Sequence, residues 1–142
     1  MTVTFFGHKD TPTTIENDLN KTLIDLIENH NATIFFVGNN GTFDSMVRRQ
    51  LELLSQTYNI TCNIVLAYLP TVKSKYDDFS NTILPEGIET TPKRFAISYR
   101  NKWMVKQSDI VVTYVTHNWG GAAQFVEYAQ RQNKEIINLA QE

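Results

Sequence analysis

The chain has 142 residues, of which 42% are hydrophobic and 20% are charged, and its formal net charge is -2. This length suits a single domain, residues 1–142, and a near-neutral charge without a Lys/Arg run excludes the clustered cations by which proteins bind nucleic acid polymers. Cys62 is the only cysteine, which excludes an internal disulfide and a cysteine-rich metal site.

Apolar runs in the first half of the chain alternate with segments of helical periodicity. Three runs rich in β-branched and aromatic residues predict strands: Thr2 to Phe6, Ala32 to Val37 and Ile60 to Leu69. Apolar residues at helical spacing predict one helix that ends near Asn29 and another over Phe43 to Tyr58. Turns that contain glycine end the first two strands, at Gly7-His8 and at Gly38-Asn39-Asn40-Gly41.

The second half begins with the least regular segment, Thr71 to Thr91. We expect a long functional loop there, since about 20 structureless residues in a compact domain usually line a site. A helix is predicted from Pro92 to Gln107, because proline favours the first helical position. Asp109 to Val115 predicts a fourth strand, Ala122 to Gln132 a helix, and Glu135 to Leu139 a fifth strand.

Alternating strands and helices with short connections predict an α/β fold. We expect a single Rossmann-like domain whose parallel five-stranded sheet has the order 3-2-1-4-5, with helices on both faces. The order reverses between strands one and four, and ligands of such sheets bind outside the carboxyl ends of the strands at that point. Three loops should therefore border one crevice: Gly7-His8, Gly38 to Gly41, and Thr116 to Gly121.

The residue types in these loops favour an anionic ligand. Backbone N–H groups at a helix start attract phosphate, and Gly120-Gly121 stands at such a start. Arg100 offers a bidentate fork for phosphate, and Glu127 can accept ribose hydroxyls. Two loop histidines can donate to phosphate as neutral imidazoles, and Trp119 can stack on a base. The expected ligand-binding residues are Gly7, His8, Gly38, Asn39, Asn40, Gly41, Arg100, His117, Trp119, Gly120, Gly121, Gln124 and Glu127.

Several of these residues resemble a known family. The spacing of Arg100, Met104, Asp109, Gly120-Gly121 and Glu127 is similar to the arginine, methionine, aspartate and Gly-Gly-x-Gly-Thr-x-x-Glu pattern of LOG-type lysine-decarboxylase-like proteins, within the SLOG superfamily. FFGHKD and FVGNNGTFDSMV resemble that superfamily's loops after the first and second strands, so the resemblance covers nearly the whole chain. The likeness is closest to small single-domain SLOG proteins of Gram-positive bacteria and their prophages, which share GHKD-like, VGNNG-like, LAYLP, PEGIE and RNKWM blocks.

The resemblance implies a nucleotide pocket whose phosphate lies on the glycine-rich helix start. In LOG enzymes it also implies that an arginine and a glutamate hydrolyse the N-glycosidic bond of nucleoside monophosphates. Those roles fall here on Arg100, Gly120, Gly121 and Glu127, with Arg100 and Glu127 as the catalytic pair if the protein is an enzyme. The chain departs from the pattern at four positions: Ala123 and Gln124 replace Gly-Thr, Trp119 replaces proline, and Asn101 replaces lysine.

Three functions remain open. We favour a module that binds a nucleotide-derived small molecule, as a sensor or a sequestering protein, because the Gly-Thr pair that contacts phosphate is lost. The alternative is a LOG-type phosphoribohydrolase, and a second alternative is a protein-interaction domain with a vestigial pocket. The presence of Arg100 with Glu127 favours the enzyme over the interaction domain.

The setting and partners follow from the remaining features. The first residues lack the basic segment and apolar core of a secretory signal, and no apolar run approaches the ~20 residues that span a bilayer, so we expect a cytoplasmic protein without a membrane partner. His8 and His117 have no third ligand at a characteristic spacing, and we expect neither a metal nor a cofactor. Related folds pair through helices beside the site, and the aromatic surface from Phe95 to Trp103 predicts a homodimer or a higher even oligomer.

Overall fold

The strands form one parallel sheet in a computed structural model that describes residues 1–68 and 82–140. Within these residues the strands are β1 (Thr2–Gly7), β2 (Ile34–Val37), β3 (Thr61–Val65), β4 (Thr82–Ile83), β5 (Ile110–Tyr114) and β6 (Glu135–Asn138). The α-helices between them are α1 (Glu16–Asn29), α2 (Thr42–Leu54), α3 (Lys93–Gln107) and α4 (Gly121–Arg131). Short 3-10 turns lie at Thr13–Ile15 and Ile88–Thr90.

The sheet order is β4-β3-β2-β1-β5-β6, and every pair of neighbours is parallel. The prediction of a Rossmann-like α/β fold is thus confirmed, and the predicted order 3-2-1-4-5 is that of β3, β2, β1, β5 and β6. The sheet differs from the prediction by one strand, since β4 pairs with the end of β3 at Ile64 and Val65. Two residues are too few to show a period of two, which is why the sequence gives no signal for β4.

Helices cover both faces of the sheet because successive residues of a strand point to opposite sides. Val3 and Phe5 of β1 belong to one apolar core together with Leu19 and Leu23 of α1, and Met46 of α2 also lies there. The intervening positions of the strands face a second core on the other side. That second core consists of Phe6, Val65, Met104, Val105, Val111, Phe125 and Ala129.

The reversal of strand order lies between β1 and β5, as predicted. These strands are paired from Val3 with Ile110 through Gly7 with Tyr114, so they end at the same edge of the sheet. The turn after β1 is tied to this edge, since His8 donates its backbone N–H to the carbonyl of Tyr114 at 3.3 Å. The loops that follow β1, β2 and β5 are therefore brought together.

The predicted long loop, Thr71 to Thr91, is only partly described. Its residues 71–81 lie outside the described ranges, whereas residues 82–91 contain β4 and the turn at Ile88–Thr90. None of the helices in residues 1–68 and 82–140 is both long and apolar enough to cross a membrane.

Candidate functional site

A cleft of about 500 Å³ opens at the carboxyl ends of β1 and β5. Its walls come from the loops after β1, β2 and β5 and from the facing sides of α3 and α4. The lining residues are Phe5, Phe6, Gly7, His8, Lys9, Asp10, Asn40, Asp44, Ile97, Arg100, Asn101, Met104, His117, Trp119, Gly120, Gly121, Ala122 and Phe125. This is the crevice that the strand order predicts, and most of the predicted binding residues line it.

Arg100 is a buried cation in the wall of this cleft. Its side chain comes from α3 and is only 2% exposed. Nε donates to Oδ1 of Asn101 at 2.8 Å, and Nη1 donates to Oδ1 of Asn39 at 2.9 Å and to the carbonyl of Val65 at 3.2 Å. None of these hydrogen bonds uses Nη2, and Arg100 lines the cleft.

Asp44 is an acidic residue in the same wall, and it interacts electrostatically with Arg100. It is 9% exposed, and its Oδ2 accepts the backbone N–H of Asn40 at 3.0 Å. Burial raises the pKa of this carboxyl to about 6, although the Asn40 hydrogen bond and the charges of Arg100 and Arg48 act to lower it. A carboxyl with this pKa changes charge close to neutral pH. Asp44 was not predicted as a site residue.

Gly38, directly after β2, lies against the side chains of Asp44 and Arg100, and the absence of a side chain leaves room for them. A Cβ atom at this position would lie 2.8 Å from Oδ2 of Asp44 and 3.2 Å from Cζ of Arg100. The predicted residues Gly38 and Asn39 thus contact the Arg100 and Asp44 side chains, and the space beside the strand end is reserved for them.

The two glycine loops start α2 and α4 with the same backbone geometry. Gly41 has φ 95° and ψ 176°, and Gly120 has φ 93° and ψ 176°, values that glycine adopts readily. The helices differ in charge, because α2 has Asp44 in its first turn whereas α4 has no acidic residue there. The positive end of the α4 dipole therefore lies uncompensated at the cleft, where it attracts anions.

Three rings form a ladder along the opposite side of the cleft. The ring centroids of His8 and His117 are 4.0 Å apart and those of His117 and Trp119 are 3.7 Å apart, with interplanar angles of 19° and 14°. Nε2 of His8 accepts the backbone N–H of Thr116 at 3.0 Å, so His8 is a neutral imidazole. Burial lowers the pKa of His8, and the neighbouring His117 lowers it further while Asp10 opposes them. The hydrogen bond from Thr116 and the lowered pKa both favour the neutral form of the His8 ring.

His117 also fixes the loop that leads into α4. Its Nδ1 lies 2.8 Å from the carbonyl oxygen of Trp119, and a carbonyl can only accept, so Nδ1 carries the proton. The Trp119 ring is 68% exposed at the rim of the cleft. The ladder thus presents a large aromatic surface that the protein holds in place from below.

Two predicted residues of α4 lie away from the cleft. Glu127 has a side chain that is 68% exposed, and its Oε1 pairs with Nη1 of Arg131 at 3.0 Å. It borders a separate, open concavity on the other side of the β5–α4 loop, and Gln124 is exposed and lines neither. The cause is helix geometry: Phe125 faces the cleft, and a position two residues later is turned by about 200° around the axis. Arg100 and Glu127 are not brought together.

Gly7, a predicted binding residue, and Asp109, a residue of the family pattern, have structural roles. The position of a Cβ atom on Gly7 is already taken by the ring of Phe43, a buried core residue, so glycine lets α2 pack against the end of β1. Asp109 lies at the far end of β5, where its Oδ2 accepts the backbone N–H of Thr2 at 2.9 Å. This carboxylate aligns β5 with β1 and is remote from the cleft.

The cleft combines cationic groups, two carboxyl side chains and an aromatic rim. Its wall holds Arg100 and an uncompensated helix start, and its mouth adds Lys9 and Asp10, which are exposed. In the described ranges, no three His, Cys, Asp or Glu side chains come together in a group that could hold a metal ion. No protein-family model matches the chain, and no curated protein matches it significantly.

Proposed function

We propose that this chain is a SLOG-like module that binds a nucleotide-derived small molecule, with the phosphate between Arg100 and the start of α4. The observation that carries the proposal is Arg100, a cation 2% exposed that lines the cleft and whose hydrogen bonds to described residues use Nε and Nη1. A buried cation is stabilised by an anionic partner that enters the cleft. A phosphate oxygen is such a partner, and a charge-assisted bond to arginine is among the stronger ones.

The start of α4, which lines the same cleft, supports the same ligand. The backbone N–H groups of Gly121 and Ala122 precede the first intrahelical bond, which Gln124 makes to the carbonyl of Gly120 at 3.1 Å. These donors line the cleft and lack an acidic side chain to cap them. We therefore assign the phosphate to this helix start and the role of the module to sensing or sequestering the ligand in the cytoplasm.

The first test is a thermal-shift screen of nucleoside monophosphates, cyclic dinucleotides and ADP-ribose derivatives, followed by titration of the hits. Gly121→Val should lower the affinity of each hit by about 10-fold or more, because a branched side chain covers the donors at the helix start. The variant should fold, since a Cβ atom at Gly121 meets nothing within 4 Å.

The matched control is Gln130→Val, which adds the same side chain to an exposed position of α4. It should leave affinity within about twofold of the wild type, because it lies outside the cleft. Equal affinity for wild type and a folded Gly121→Val variant would remove the helix start from the site.

A LOG-type phosphoribohydrolase is the second candidate, and the raised pKa of Asp44 is the observation that favours it. A carboxyl in the cleft wall with a pKa of about 6 is suited to proton transfer near neutral pH. Glu127, which corresponds to the glutamate of the LOG-type pattern, pairs instead with Arg131 outside the cleft. We therefore expect each hit to be recovered intact, with no free base or ribose phosphate. Release of base that Asp44→Asn abolishes, with ligand still bound, would establish the enzyme.

Assembly is part of the proposal. Phe95 and Tyr99 of α3 are 51% and 38% exposed, and an aromatic surface of this kind on one helix is suited to pairing with a second copy. Trp103 contributes less, because its ring packs on Phe36 with centroids 5.2 Å apart. We expect a homodimer or a higher even oligomer by light scattering at micromolar concentration. A monomer under these conditions would contradict the expected assembly.

A further inference from the structure

The most exposed large aromatic side chain of the described residues lies on the cleft that the proposed function uses. Trp119 is 68% exposed, yet it is not a free surface residue. Its ring stacks on His117 with centroids 3.7 Å apart, and its carbonyl accepts the Nδ1 proton of His117 at 2.8 Å. The protein therefore holds an apolar ring in a fixed orientation while leaving much of it in water.

The ladder beneath Trp119 extends from the joined ends of β1 and β5 out to the rim of the cleft. His8 and His117 stack with centroids 4.0 Å apart, and His8 is held by the backbone N–H of Thr116 at 3.0 Å. A core would bury such rings, whereas here the stack ends at the rim of the cleft. An aromatic ring held in this way offers a π-face to another flat group, and every nucleobase has such a face.

The difference in exposure between Arg100 and Trp119 indicates which end of a ligand would lie deep in the cleft and which would lie at its rim. Arg100, at 2% exposure, marks the deep end, and Trp119, at 68% exposure, marks the rim. Both line the same cleft of about 500 Å³. A molecule with an anion at one end and a flat ring at the other can meet both residues at once, whereas a sugar phosphate meets only the deep end.

We propose that Trp119 is the platform on which a nucleobase of the ligand stacks, so that the site takes a nucleoside phosphate in preference to a sugar phosphate or inorganic phosphate. This inference rests on the proposed function, because it requires the phosphate of the same ligand to lie in the cleft. The His117 and His8 rings support the platform from below. They are positioning residues that do not touch the base.

The test compares ligands with and without a base. AMP, GMP, CMP, UMP and ribose 5-phosphate are titrated by calorimetry into the wild type, Trp119→Ala and Trp119→Phe. We expect at least one nucleotide to bind the wild type more tightly than ribose 5-phosphate. Trp119→Ala should weaken the binding of that nucleotide by about 5- to 150-fold. The affinity for ribose 5-phosphate should stay within about twofold of the wild-type value. Trp119→Phe, which keeps a ring, should retain most of the affinity.

Fluorescence gives a readout that a merely structural role would not move. The chain has two tryptophans, and Trp103→Phe leaves Trp119 as the only one. A base that stacks on Trp119 should quench its emission at saturation, whereas ribose 5-phosphate should not.

Two results would overturn the platform, and they differ in what they say of the proposed function. If ribose 5-phosphate binds as tightly as every nucleotide and Trp119→Ala affects none of them, the platform is excluded while the phosphate site stands. If none of the five compounds, and no cyclic dinucleotide or ADP-ribose derivative of the screen, binds the folded wild type, both proposals fail.

Discussion

Arg100→Ala should weaken binding of the nucleotide ligand by about 10- to 150-fold, the scale of a charged hydrogen bond lost from a buried anion. Calorimetric titration of the tightest nucleotide measures this change. Arg100→Lys should recover only part of the loss, because an ammonium keeps the charge without the planar fork. Arg94→Ala is the matched control, since Arg94 belongs to the same helix but is exposed and lies over the ring of Phe95, 4.8 Å from its centroid.

Loss of Arg100 also removes one of the two cations that act on Asp44 and leaves Arg48, and the single variant is expected to be less stable. The carbonyl of Val65 and Oδ1 of Asn39 lose their donor, at about 1 to 3 kcal/mol for each buried acceptor left unsatisfied. The double variant Arg100→Ala/Asp44→Asn removes both charges and keeps the binding test valid if the single variant unfolds. Wild-type affinity in a folded double variant would exclude Arg100 from the phosphate site.

Asp44→Asn should stabilise the protein at pH 7.5 by about 1 to 3 kcal/mol and have little effect at pH 4. The folded pKa of Asp44, about 6, lies above its ordinary value of 3.8 because the carboxyl is buried. The folded state therefore holds a proton that the unfolded state releases between these values. Wild-type stability should fall as pH rises through this window, whereas the variant has no carboxyl to titrate.

Urea unfolding of both proteins at pH 4, 5, 6 and 7.5 measures the difference. Asp18→Asn serves as the control, because it removes a carboxylate from the exposed first turn of α1. An advantage of Asp44→Asn that is the same at every pH, or a wild type that gains stability relative to it above pH 5, would contradict the expected cost of the buried charge.

The sheet was predictable because its signals are local. Ala32 to Val37 is a continuous apolar run, and a strand buried on both faces requires such a run. The position of the cleft then follows from chain order alone, since the reversal between β1 and β5 brings their carboxyl ends to one edge. Only β4 lacked a signal, because its pairing depends on where β3 ends and not on its own two residues.

The residues of the cleft were predictable only where the order of strands and helices is enough to locate them. Gly120 and Gly121 lie at a helix start in any fold of this order, whereas Glu127 depends on the rotation of α4 about its own axis, which the motif spacing does not fix. Asp44 had a weak signal, an acidic residue in the first turn after a glycine loop, but its closeness to Arg100 depends on where α2 and α3 are placed in the fold. Contacts of this kind are set by packing.

The paired helix starts also determine how many anionic groups the cleft can accept. At α2 the chain supplies its own anion, because Asp44 lies in the first turn and accepts the Asn40 N–H. At α4 no such group is built in. A second phosphate directed toward α2 would meet the ionised carboxylate of Asp44 and be repelled. We therefore expect the cleft to accept one anionic group, at the start of α4, because Asp44 already provides the negative charge at the start of α2.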